Sequence, residues 1–125
     1  MSSSPDVSAA RSVAFDLLRS VLARRKSFDD AMAIHDGFRR LPTRDRGFAR
    51  LIAATTLRRL GQVDALIDNC LEKPQPKAGE AVRDIIRMAT TEMLFLGVAP
   101  HASVDSAVTL VETRKLAKFK GLTNA

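Results

Sequence analysis

A chain of 125 residues with 46% apolar content has the size and the hydrophobic share of one domain that buries its own core. Its 20 Lys and Arg stand against 14 Asp and Glu, a formal charge of +6, which favours an anionic partner such as nucleic acid. One cysteine excludes an internal disulfide framework, no apolar run approaches the roughly 18 residues of a bilayer span, and Met1 to Ala10 lacks the apolar core of a signal peptide, so the expectation is a cytoplasmic chain with no membrane contact.

Tyr and Trp are absent, and apolar residues recur at spacings of three and four with no clean alternation, so the whole chain reads as all-α. Met1 to Val7, with three serines, a proline and an aspartate, has little to bury and reads as a disordered tail before a domain over residues 8–125. A first helix is predicted from about Ser8 to Arg25, with Ala14, Leu17, Leu18, Val21 and Leu22 on its inner face and Arg11, Arg19 and Arg24 outside it. Ser27 and Asp30 have the spacing of a capping box for a second helix, whose stripe is Phe28, Ala31 and Met32 and which Gly37 ends.

Pro42 and Thr43 open a third helix with Phe48, Leu51, Ile52 and Thr55 inward, and Gly61 punctuates it. Val63, Leu66, Ile67 and Cys70 mark a short fourth helix that stops before Pro74 and Pro76, with the Cys70 thiol packed as a small hydrophobe. Val82, Ile85, Ile86, Ala89, Met93 and Leu96 make the clearest periodic run and predict the central core helix, closed by Gly97. Pro100 starts a sixth helix with Val104, Ala107, Val108 and Val111 inward. Leu116 to Lys120 reads as a basic connector, and Gly121 to Ala125 as the first turn of a seventh helix that breaks off. The Lys73 to Lys77 stretch is expected to join two helical halves.

Site chemistry is sparse. His35 and His101 fall on different helices, with no HxxxH or CxxC spacing to hold a metal. His101 reads as a helix-start residue and His35 as an edge residue on the second helix. The six glycines are isolated, so no phosphate-cradling loop exists, and with no predicted strand there is no frame for a methyl-donor site.

Charge remains. Cations avoid the middle of the chain, where residues 61–110 hold only Lys73, Lys77, Arg83 and Arg87. Arg46 and Arg50 share a helix face with Arg44 beside them, and Arg39 and Arg40 lie just upstream in what reads as a loop. With Arg11 at the front and Arg114, Lys115, Lys118 and Lys120 at the back, they would form one phosphate-binding surface if the two ends of the chain meet. The competing account is a solvated surface whose arginines pair with Asp16, Asp45 or Glu112. All six aromatics are Phe, and Phe28 and Phe48 are assigned to the core, so recognition of stacked bases is not indicated.

Four segments in order carry a family likeness: AARSVAFDLLRSVL near the front, RDRGFARLIAATTLRRLGQVDALIDNCL from Arg44, MLFLGVAPHASVDSAVTLV from Met93, and KGLTNA from Lys120. Together they resemble the NusB-like domain family. Within it, TLRRLGQVDALI, PHASVDSAV and KGLTNA look most like the N-terminal domain of RsmB (Sun, Fmu) type 16S ribosomal RNA 5-methylcytosine methyltransferases, the other branch being the free-standing antitermination factor NusB. The resemblance implies an all-helical bundle of two packed three-helix halves that is itself no enzyme and binds no cofactor. It further implies ribosomal RNA as partner, through Arg11 and basic residues elsewhere, and a following catalytic domain that uses S-adenosylmethionine. On the NusB branch the partners would instead be a leader RNA and a small-subunit ribosomal protein.

Overall fold

A computed structural model describes residues 7–70 and 79–114, with side chains from Ala9 onward. Seven α-helices and no strand occur among the described residues: α1 Val7–Leu22, α2 Phe28–Ile34, α3 Asp36–Arg40, α4 Thr43–Arg58, α5 Leu60–Cys70, α6 Glu80–Phe95 and α7 Pro100–Thr113. The all-α expectation holds. The chain divides into two compact units, Met1–Ala54 and Thr55–Ala125, so the division falls inside α4 and not at the Pro74 to Pro76 stretch.

In the first unit α1 packs against both α2 and α3, and more of α1 is buried than one stripe. Ala10, Val13, Ala14, Phe15, Leu17 and Leu18 are all buried, together with Ala31, Ala49, Ile52 and Ala53. Val21 and Leu22, placed on the inner face from sequence, are only half-buried. The helix also stops earlier than Arg25, because Arg25 takes a left-handed φ of 57° and turns the chain so that the Lys26 N–H reaches the Ser20 carbonyl at 3.0 Å.

The capping signal at Ser27 is realised: its hydroxyl accepts the Asp30 N–H at 3.1 Å. Gly37, in contrast, does not end a helix. The chain breaks two residues earlier, at His35, which closes α2 and caps α3, and Gly37 lies within α3. Arg39 and Arg40 are therefore helical and not in a loop. In α4 the inward face contains Ala49, Ile52 and Ala53, while Leu51 is 48% exposed.

The second unit is organised by α6, which packs against α5 and against α7, as a central helix should. Its core joins Val63 and Ile67 of α5 to Val82, Ile85, Met88 and Ala89 of α6 and Ala107, Leu110 and Val111 of α7. Gly61 does not punctuate: it sits inside α5, and the backbone ladder continues across Arg59, whose N–H donates to Thr55 and whose carbonyl accepts from Val63. Leu66, Val104 and Cys70 are exposed, which corrects the core places given to them by periodicity. Gly97 does close α6, with a φ of 70° that lets the Val98 N–H reach back to the Glu92 carbonyl at 3.0 Å.

Lys115 to Ala125 and Met1 to Asp6 lie outside the described residues, and with them the basic connector, the broken seventh helix and most of the expected tail; Val7, its last residue, begins α1.

Candidate nucleic-acid interface

Five of the ten basic residues singled out from sequence sit on α3 and the first two turns of α4, within the first unit. What sets α3 in place is His35. Its Nδ1 accepts the Phe38 N–H at 2.9 Å, so the ring proton must be on Nε2, which then donates to Asp16 Oδ2 of α1 at 2.9 Å. One imidazole thus caps α3 and ties it to α1. Gly37 makes room for that ring, since a Cβ there would meet His35 Cε1 at 2.8 Å.

With α3 held, Arg39 of that helix and Arg46 and Arg50 of α4 come to line one open hollow of about 330 Å³, together with Phe38, Thr43 and Gly47. Arg39, Arg50 and Phe38 also line an adjoining hollow of about 490 Å³ with Asp29, Met32 and Ala33 of α2. Arg46 is half-buried and fixed: it donates to the Arg39 carbonyl at 3.4 Å and to Thr43 Oγ1 at 3.2 Å. Arg39 is exposed and donates to Asp36, whose carboxyl is held below the usual carboxylate range by that hydrogen bond and by the charge of Arg39. Arg50 is exposed and lies at the shared edge of both hollows.

The structure gathers the remaining candidates less well. Arg40 and Arg44 are exposed on the same two helices but line neither hollow. Arg11 is not a surface residue. It is 6% exposed, and its guanidinium lies 5.5 Å from the centre of the Phe48 ring, a cation–π contact in the interior of the first unit. Packing against Phe48 of α4 thus takes inside a residue that periodicity put outside. Lys115, Lys118 and Lys120 lie outside the described residues, and Arg114 is half-buried at the end of α7.

Two features escaped the sequence. Phe38 belongs to no periodic stripe, because α3 is too short to show a period, yet it walls both hollows. In the second unit Asp64, Asp68, Asp84, Arg83 and Arg87 form one charged network: Arg87 grips Asp64 through Nε at 2.7 Å and Nη2 at 2.9 Å and donates to Asp84 at 2.6 Å, while Arg83 reaches Asp64 and Asp68. These arginines are occupied by carboxylates. They offer little to phosphate.

Among the described residues no group of three His, Cys, Asp or Glu is placed to hold a metal ion. No helix among the described residues is long and apolar enough to cross a membrane. The model of the NusB family matches residues 8–125. The chain is also 30% identical over 99 residues to two proteins of Mycobacterium tuberculosis, one from strain CDC 1551 / Oshkosh and one from strain ATCC 25618 / H37Rv, each named as a candidate methyltransferase. The match covers 79% of this chain but 22% of each relative, so the chain spans about a fifth of their length.

Proposed function

The chain belongs to the NusB family, and from that membership we propose that it is an RNA-docking domain that performs no chemistry itself. It holds ribosomal RNA by the phosphate backbone for a cytosine-C5 methyltransferase domain in a longer cytoplasmic protein. The observation that carries the proposal is the convergence of Arg39, Arg46 and Arg50 on one open hollow beside the exposed Arg40 and Arg44. Guanidinium groups in such an array suit phosphate oxygens, and hydrogen bonds of this kind set affinity and register without reading sequence.

Lys115, Lys118 and Lys120 remain candidates for phosphate contact by their charge alone, whereas Arg11 packs on Phe48 inside the first unit. The relatives' names support the methyltransferase part, and the methyl donor S-adenosylmethionine belongs to the catalytic domain. The other reading within the family is a free-standing antitermination factor bound to a leader RNA and a small-subunit ribosomal protein. The family match favours it equally.

The test is binding of small-subunit ribosomal RNA fragments by the whole chain and by Arg46→Ala/Arg50→Ala. Removing two charge-assisted hydrogen bonds of about 1 kcal/mol each predicts a fall in affinity of about thirtyfold with little change in thermal midpoint. Equal affinity of the two proteins contradicts the docking surface. Tight, stoichiometric capture of a ribosomal protein by the chain would favour the antitermination reading over the methyltransferase one.

A further inference from the structure

We propose that the hollow between α3 and α4 is a nucleotide subsite: one unpaired base lies against Phe38 over the bare backbone of Gly47, with its flanking phosphates on Arg39, Arg46 and Arg50. The inference deepens the RNA-docking reading and rests on it. Its consequence is selectivity for RNA that presents an unpaired nucleotide over a continuous duplex.

Three observations converge on this. Phe38 is the one aromatic ring in a hollow whose other walls carry three guanidinium groups and the Thr43 hydroxyl, and an aromatic face among cations is the combination that stacks a base while tracking its backbone. Gly47 leaves the surface of α4 bare there, since a Cβ built on it meets nothing within 4 Å, so space for a flat ring exists without any side chain moving. The adjoining hollow, which shares Phe38, Arg39 and Arg50, is walled by Met32 and Ala33 and carries the Asp29 carboxylate. That carboxylate repels phosphate, so the backbone is confined to the Arg46 side and the apolar side is left to the base.

Arg46 is already held by Thr43 and the Arg39 carbonyl, so its guanidinium is positioned before RNA arrives and little side-chain freedom is given up on binding. A continuous duplex cannot enter, because its bases are stacked and paired; a bulged or looped nucleotide is free to swing out.

The test uses the whole chain and two RNA hairpins of equal length and charge, one fully paired and one with a single bulged nucleotide carrying 2-aminopurine. The bulged hairpin is expected to bind about tenfold more tightly, a value within the range of stacking one base on an aromatic side chain, with a change in 2-aminopurine fluorescence. Phe38→Leu removes the ring and Gly47→Leu fills the space, and the preference is expected to fall towards onefold in both. Gly47→Leu replaces a helical glycine with a better helix former and keeps the test open if Phe38→Leu folds poorly. Equal binding of the two hairpins by the unaltered chain overturns the subsite while leaving backbone docking intact. Failure of both hairpins to bind overturns the docking reading itself, and a preference that survives Gly47→Leu with unaltered fluorescence places the base elsewhere.

Discussion

His35 shows how one side chain decides where a functional surface lies. Its two hydrogen bonds, to Asp16 and to the Phe38 N–H, fix a five-residue helix that is far too short to stand alone. Gly37 is part of the same arrangement. In an exposed helix Gly→Ala gains about 1 kcal/mol, but here the new methyl meets the pinned imidazole at 2.8 Å. Gly37→Ala is therefore expected to destabilise the chain by about 1 kcal/mol, read as a lower urea midpoint; a raised midpoint would contradict the role given to His35. Arg11 is the second residue whose role depends on packing. At 6% exposure and stacked on Phe48, it should behave as a stability residue. Arg11→Gln is expected to lower stability by about 1–2 kcal/mol, whereas Arg50→Ala should lower RNA affinity and leave the melting curve in place. The opposite pattern would put Arg11 on the RNA.

At the level of helices, α5 and α6 are joined by charge as well as by Val63, Ile67, Val82 and Ile85. Partial burial pushes the Asp64 carboxyl up, but the hydrogen bonds and charge of Arg87, with those of Arg83, outweigh it and hold the group below the usual carboxylate range. A carboxylate whose value is lowered on folding adds stability above its unfolded range, and that stability fades as pH falls through the folded value. Asp64→Asn should thus cost about 1–2 kcal/mol near neutral pH, and the gap to the unaltered chain should close as pH falls below the usual carboxylate range. A gap that is constant with pH would mean that shape, not charge, matters at Asp64. The helices themselves were largely legible: Ser27, Pro100 and Gly97 act at the ends their chemistry predicts, and the α6 period marks the helix that packs on both its neighbours. Gly37 and Gly61 misled because an isolated glycine is tolerated inside a helix when the hydrogen-bond ladder or a cap continues past it. Leu51, Leu66, Val104 and Cys70 misled because the period fixes a face of a helix but not how far its neighbours extend along it.

For the molecule as a whole, the all-α class follows from periodicity alone, and membership of the NusB family agrees with the order of the four sequence segments. The surface was legible only in outline. Spacing places Arg46 and Arg50 together, but that Arg39 joins them while Arg11 goes inside depends on the short helix α3, which neither period nor propensity reveals. Arg87 makes the same point: Asp64, far away in sequence, and Asp84, close by, hold it in a largely buried network that withdraws it from a partner, whereas the pair of Arg39 with Asp36 is exposed and open to exchange for a phosphate. The central claim is that the arginines of α3 and α4 hold RNA by its phosphates, and such binding leaves a thermodynamic mark in released counterions. The most direct measurement is the slope of log affinity against log salt for a ribosomal RNA fragment, with the unaltered chain and with Arg46→Ala/Arg50→Ala. The account predicts that affinity rises as salt falls and that the double substitution flattens the slope by about 1.4–1.8, or about 0.7–0.9 for each phosphate that is no longer neutralised. A slope near zero for the unaltered chain, or one left unchanged by the two substitutions, would contradict it.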